Sequence, residues 1–258
     1  MFIIDIENLT KIYRNNTIAL NEVSLKVKEG STTSIIGENG AGKSTLINIL
    51  ISLITKSSGN VSIFGKILNE QNDYFIKKNI GFVGEQIGAY EHLNVVEYWR
   101  FIANIYKINK NYIDKRIEEL LYVLSLDKSK KKLIREFSKG MKQKALLGGV
   151  LIHNPRLLIL DEPLDGIDPS SKIIIKNILQ EFNRNGSTIL ISSHDFSIIE
   201  DICSDVIVMN EGKVKFQDTV ENMHKQYNGL TLEEIFIKIV NRELDVLRKK
   251  LSWGGKND

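Results

Sequence analysis

Apolar residues recur along this chain with two different periods, and the switches between them mark out its elements. Residues 2 to 8 and 23 to 27 alternate apolar and polar, the pattern of half-buried strands. Ser31 to Ile36, Val61 to Phe64, Ile80 to Val83, Thr188 to Ser192 and Val206 to Met209 are short runs favouring extended backbone, and they predict further strands. Leu157 to Leu160 is apolar without interruption, as a parallel strand buried on both faces must be. Glu29-Gly30 and Ser57-Ser58-Gly59-Asn60 are predicted turns between these runs.

Helical spacing takes over elsewhere. Ser44 to Ile54 predicts an apolar helix, and from about Asn94 to Leu126 the pattern is helical throughout. There Val95, Tyr98, Trp99, Ile102 and Ile105 share one face, and Ile113, Ile117, Leu120, Leu121 and Leu124 share another. Ser138 is placed to cap a helix running to about His153, before Pro155. Ser171 to Arg184 and Asp195 to Ile202 complete an alternation of strand and helix that implies βαβ units. Thr231-Leu232-Glu233-Glu234 fits a capping box, followed by apolar positions Phe236, Val240, Leu244, Leu247 and Leu251. Ser252 to Asp258 reads as a frayed tail.

The expected fold class is therefore α/β with a mainly parallel sheet, an N-terminal antiparallel β subdomain and an inserted α-helical lobe. One domain is expected over residues 1–230, with the lobe inserted at about 87–153, and residues 231–258 form a C-terminal helix and tail. Composition narrows the partners. Across 258 residues the net charge is only +3 and both signs are interspersed, so no nucleic acid partner is expected. The one dense basic run, Lys128-Ser129-Lys130-Lys131-Lys132, lies between helical patterns and is expected to be a solvated loop. Cys203 stands alone among apolar neighbours, a buried hydrophobe rather than a reactive thiol, in a reducing compartment. Met1 to Glu7 lacks a basic leader and a long apolar region, which argues against a secretory signal. The longest apolar stretch, Leu46 to Ile54, is interrupted by Asn48 and Ser52 and falls far short of the about 20 residues a bilayer span needs.

The candidate chemistry begins between the strand ending at Ile36 and the helix that follows. Gly37-Glu38-Asn39-Gly40-Ala41-Gly42-Lys43-Ser44-Thr45 fits G-x-x-x-x-G-K-[ST], the phosphate-binding loop, a match expected by chance in roughly 1% of chains this long. Its order of strand, glycine turn and helix is the one the motif requires, and it makes the core a phosphate-loop NTPase. Backbone N–H groups of Asn39, Gly40, Ala41 and Gly42 would form an anion nest ending at a helix N-terminus. Lys43 would reach the β- and γ-phosphates, and the Ser44 hydroxyl would ligate Mg²⁺. A helix dipole supplies at most about 2 kcal/mol and a charge-assisted hydrogen bond about 1.5–3 kcal/mol, so the whole loop must act together. At the C-terminal end of the buried strand, where open α/β sheets bind ligands, stand Asp161 and Glu162. Asp161 would hold Mg²⁺ and Glu162 would polarise the attacking water. Tyr13, near a strand end, is equally placed for adenine stacking or for packing.

With these motifs in order the chain resembles the ATP-binding cassette (ABC) ATPases, over roughly residues 2 to 225. In that resemblance Tyr13 matches the adenine-stacking aromatic, Gly37 to Thr45 the phosphate loop, and Gln86 the glutamine that touches Mg²⁺ and water and links the core to the helical lobe. Phe137-Ser138-Lys139-Gly140-Met141-Lys142-Gln143 looks like the signature sequence, Leu158 to Pro163 the acidic strand, Gly166-Ile167-Asp168 the loop after it, and His194 the switch histidine near the γ-phosphate. The signature departs from the common form. Lys139 stands where glycine is usual and Met141 where glutamine is usual, while Ser138 and Gly140 are kept.

The resemblance implies an ATPase whose signature faces ATP bound to a second ATPase subunit, the same chain or a related one, paired head to tail. It implies an integral membrane permease on a separate chain, export as the direction, and a peripheral position on the cytoplasmic face of the cell membrane. Bacterial exporters of drugs, peptides or polysaccharides are the most similar type. A soluble ABC ATPase acting on ribosomes or DNA is the alternative. A small-molecule kinase or GTPase is a weaker one, since no Asn-Lys-x-Asp guanine-reading motif is present.

Overall fold

The computed structural model describes residues 1–84 and 90–240. Gln86, Leu244, Leu247, Leu251 and the tail from Ser252 lie outside the described residues. The first sheet is antiparallel. Its strands β1 (Phe2–Ile12), β2 (Ile18–Lys28), β4 (Ser58–Ile63) and β5 (Lys66–Ile67) lie in the order β2-β1-β4-β5. β1 and β2 run further than their alternation predicts. Register shifts follow Ile6, and Asn8 and Glu22 adopt positive φ of 49° and 52°, so bulges reset the alternation midway and hide the second half of each strand from a period-2 count.

The expected turn at Ser57 to Asn60 is corrected by the same feature. Residues 58 to 60 belong to β4, and Gly59 (φ 88°) is the close-approach point opposite the β1 bulge, where a Cβ would stand 2.3 Å from Asn8 O.

The second sheet has the order β10-β9-β3-β8-β7-β6, from β3 (Thr32–Ile36), β6 (Ile80–Val83), β7 (Leu157–Asp161), β8 (Thr188–Ser192), β9 (Asp205–Asn210) and β10 (Lys213–Thr219). All neighbours are parallel except β9 and β10. Both faces are covered, which explains the unbroken apolar runs. Leu157 and Ile159 point into a core shared with the antiparallel sheet and α1 (Lys43–Leu50), while Leu158 and Leu160 point into the core on the opposite face. β8 divides in the same way, Leu190 to the first core and Ile189 and Ile191 to the second. α1 is shorter than the expected Ser44 to Ile54, because Ser52 turns to a φ of 56° just past its end.

The second core is filled by α3 (Val95–Ile105), α4 (Lys110–Val123) and α5 (Lys139–Leu151) together with later helices. Asn94 and Glu97 form a complete capping box at the start of α3. Trp99 is fully buried and its indole N–H donates to Ala145 O at 2.7 Å, fixing α3 on α5. Ile105 departs from its predicted face and is 56% exposed. The basic run at 128 to 132 is a surface turn, as expected.

α6 (Pro169–Arg184), α7 (Phe196–Ile202) and α9 (Leu232–Val240) match predicted helices, and the Thr231 box forms with both of its bonds. α2 (Glu70–Asn79), α8 (Val220–Gln226) and β10 are found only in the structure. The two helices bury one residue each, Ile76 and Met223, too little apolar periodicity to read. Cys203 is buried as expected, and burial pushes its thiol up to about 12. Among the described residues no helix is long and apolar enough to cross a membrane.

Candidate active site

Three neighbouring parallel strands, β3, β8 and β7, end at one edge of the sheet and deliver the chemistry there. Ser192 pairs with Ile35 on one side and with Asp161 on the other. Beyond β3 the loop Gly37 to Gly42 curls into α1. Gly42 adopts a φ of 101°, and a Cβ there would stand 2.6 Å from Ala19 O, so this position requires glycine on both counts. Lys43 is buried, and its ammonium donates to Gly37 O at 2.6 Å and to Glu38 O at 3.2 Å. The lysine thus rests in the ring of the loop that its charge would surrender to a phosphate. Ser44 is exposed at the first turn of α1.

A cleft of about 590 Å³ opens over this loop, lined by Thr17, Ala19, Asn39, Gly40, Ala41, Gly42, Lys43, Ser44 and Thr45 on one side and Glu162, Asp165 and His194 on the other. Glu162 holds a positive φ of 49°, with its N–H donating to Ser192 Oγ at 2.9 Å. Its Oε2 lies 2.9 Å from His194 Nδ1. The Ser192 hydroxyl donates to Asp161 Oδ1 at 2.6 Å. One fully buried serine therefore fixes both acids, accepting from the backbone of one and donating to the side chain of the other. Nothing in the local sequence singles out Ser192. Its role appears only when β7 and β8 are laid side by side.

Tyr13 sits outside the cleft lining, 38% exposed, with its hydroxyl 3.3 Å from Thr45 Oγ1 and Lys11 Nζ 5.2 Å from the ring centre. Its ring is at the cleft's margin, beside the end of the phosphate loop. The signature residues are not in the cleft either. Ser138 caps α5, accepting from Met141 N–H at 3.3 Å. Gly140 packs against the loop before α6, where a Cβ would stand 2.6 Å from Asp168 Oδ2 and 2.7 Å from Ser171 Oγ. Asp168 caps α6. The Ser170 hydroxyl, then the N–H and hydroxyl of Ser171, hold its carboxyl well below the usual range. Burial pushes the Lys144 ammonium on α5 down, against the pull of Asp168.

The structure thus unites the phosphate loop, Glu162 and His194, ties Asp161 to them through Ser192, and leaves Ser138 and Gly140 outside the cleft lining. Gln86 lies outside the described residues. Sequence reasoning assigned no role to Asp165, Ser192 or the wall formed by Thr17 to Ala19; of these Asp165, beside the Gly166 to Asp168 loop, and Ser192, two residues before His194, stand near recognised motifs.

A family model described as ABC transporter matches residues 20–165 of this chain. The chain belongs to the ABC transporter family, as one of its ATP-binding subunits. It is 34% identical over 231 residues to the bacitracin transport ATP-binding protein of Enterococcus faecalis, covering 89% of this chain and 73% of that one. It is 33% identical over 232 residues to a lantibiotic transport ATP-binding protein of Streptococcus pyogenes, covering 89% and 97%. A solved ATP-binding subunit of an ABC transporter superposes with a TM-score of 0.85 at 28% identity, covering 92% of this chain and 99% of that one. A dimeric cassette in a post-hydrolysis state with ADP and Pi gives a TM-score of 0.76 at 26% identity, covering 84% and 98%. This ABC subunit binds and hydrolyses ATP, and the cleft over Lys43 is where its phosphate loop, Glu162 and His194 meet.

Proposed function

We propose that this chain powers a separate integral membrane permease at the cytoplasmic face of the cell membrane, by closing on a second ATPase subunit around two molecules of ATP. One observation carries the reading. The cleft holds a phosphate loop, an acid and a histidine, yet Ser138, exposed at the capped terminus of α5, is not part of its lining. A capped helix N-terminus outside the cleft is complementary to the exposed side of a nucleotide held by another copy, where added donors and lost water strengthen each electrostatic contact. The related cassette solved as a dimer with ADP and Pi supports this pairing.

In this reading Gly40 to Thr45 and Lys43 hold the phosphates, Tyr13 stacks on the adenine, Glu162 polarises water and His194 senses the γ-phosphate. Mg²⁺ fits the donor set. Among the described residues no cluster of three or more His, Cys, Asp or Glu side chains is placed to hold a metal, so the ion would take Ser44, Asp161, Gln86 and the nucleotide's own phosphate oxygens. Such hard oxygen donors suit Mg²⁺, which when bound would supply positive charge beside the phosphates. The bacitracin and lantibiotic relatives are named for transport, which favours a transport role over action on ribosomes or DNA; export is the proposed direction.

The test is the oligomeric state of the Glu162→Gln protein by analytical ultracentrifugation. Saturating Mg-ATP is expected to convert it to a stable dimer, and the further change Ser138→Arg to return it to monomer. A Glu162→Gln protein that binds ATP and stays monomeric would overturn the proposal.

A further inference from the structure

Lys139 and Asp165 meet at the rim of the cleft, and the reaction as described uses neither. Lys139 Nζ lies 3.5 Å from Asp165 Oδ2. Asp165 Oδ1 lies 3.6 Å from His194 Nε2, and His194 Nδ1 lies 2.9 Å from Glu162 Oε2. The four side chains form a row from the first residue of α5 to the acid at the end of β7. Backbone geometry supports it at both ends. The Asp165 N–H donates to Glu162 O at 3.2 Å. The lysine chain lies across Gly166, where an added Cβ would stand 2.5 Å from Nζ.

Asp165 adds a carboxylate, beside that of Glu162, to the wall facing the phosphate loop. Unpaired, it would repel a polyphosphate, and its carboxylate would lose the cation on the side away from the histidine. Lys139 supplies that cation from the position where the family's usual glycine could not.

We propose that Lys139 and Asp165 are a matched pair in which the lysine neutralises the carboxylate at the nucleotide site and holds it as a positioning residue for His194. The departure at 139 and the acid at 165 are then one feature. The pair also ties the helix terminus bearing Ser138 to the histidine of its own cleft, so displacement of α5 is felt at His194. This rests on the cleft being the ATP site.

The test uses the full-length chain and four variants, Lys139→Gly, Asp165→Asn, the two combined, and Lys43→Ala, with a fluorescent ATP analogue for binding and phosphate release for turnover. Lys139→Gly is expected to weaken nucleotide binding roughly fivefold, and adding Asp165→Asn to restore it to within about twofold, the scale of a partly exposed charge pair whose two members are coupled. Asp165→Asn alone is expected to leave binding intact, to lower kcat roughly fivefold, and to shift the His194 ring resonances in a ¹⁵N-histidine spectrum assigned with His194→Gln. A purely structural contact would leave that spectrum unmoved. Additive effects of the two changes on binding, or His194 resonances unaltered in Asp165→Asn, would overturn the proposal. Lys43→Ala separates the underlying reading: if it binds nucleotide like the wild type, the cleft is not the ATP site and both conclusions fall together.

Discussion

Two helix N-termini are assigned to phosphate in the proposed function, and they are built in opposite ways. At α1 everything needed is contiguous. Gly42 takes the left-handed conformation, Lys43 folds back onto Gly37 O, and Ala41 N–H donates to Glu38 O at 3.1 Å within the same turn. At α5 only the Ser138 cap is local. Gly140 is pressed against Asp168 and Ser171, and Lys139 against Asp165, all from a segment beyond β7. The first terminus is a motif that carries its own geometry. The second is a junction whose position depends on how two distant segments pack, which suits an element that must move against a partner.

That contrast breaks most visibly at Gly42. A Gly42→Val chain must put a β-branched side chain at a φ of 101° with its Cβ 2.6 Å from Ala19 O, and backbone strain of about 1–3 kcal/mol is relieved only by opening the loop. Calorimetry is expected to show ATP binding weakened by roughly a hundredfold or more, since several N–H contacts are lost together. Unchanged affinity would show that the loop is not the rigid local unit described here.

Gly140→Ala should do the reverse. ATP affinity of the single chain is expected to hold, while ATPase activity falls roughly tenfold as α5 is displaced from the Asp168 loop. Overpacking of about 1–3 kcal/mol should lower the melting temperature by roughly 2–6 °C, read by circular dichroism. Loss of binding in this variant would erase the distinction between the two termini.

The smallest effect is expected away from both. His153 stacks on Tyr106 with ring centres 3.7 Å apart, and burial pushes it down to about 4 against an opposing hydrogen bond to the Ile80 carbonyl. Folded, the ring stays neutral, while the unfolded chain takes up a proton below about pH 6.5. The unfolded state then binds more protons, so stability declines as pH falls from about 6.5 to about 4. Replacing His153 by Phe should flatten that part of the acid limb in denaturant titrations without altering ATP binding. A change at the nucleotide cleft would show that the His153–Tyr106 stack and the two termini are energetically linked.

Much of this was legible in the chain itself. The parallel strands were, because burial on both faces demands the apolar runs of β7, β8 and β9. So were the two lobe helices and the caps at Ser138 and Thr231. What escaped did so for identifiable reasons. Bulges at Asn8 and Glu22 break the alternation of β1 and β2, Gly59 belongs to a bulge though it reads as a turn, and α2 and α8 rest on single buried residues. In the site, Lys43, Glu162 and His194 were found through motif order, whereas Ser192 and Asp165 carry no motif of their own.

The sequence by itself determined the local chemistry: a glycine loop that can only curl one way, a serine cap, and two acids at the end of a strand too apolar to lie anywhere but inside. Only the tertiary structure decided which of these face one another. Strand pairing puts Ser192 between Asp161 and Glu162, and the approach of α5 to the loop before α6 puts Lys139 beside Asp165. The reason is that local motifs follow from short-range backbone and hydrogen-bond preferences, while pairings between distant segments are set by packing, which no single stretch of the chain specifies.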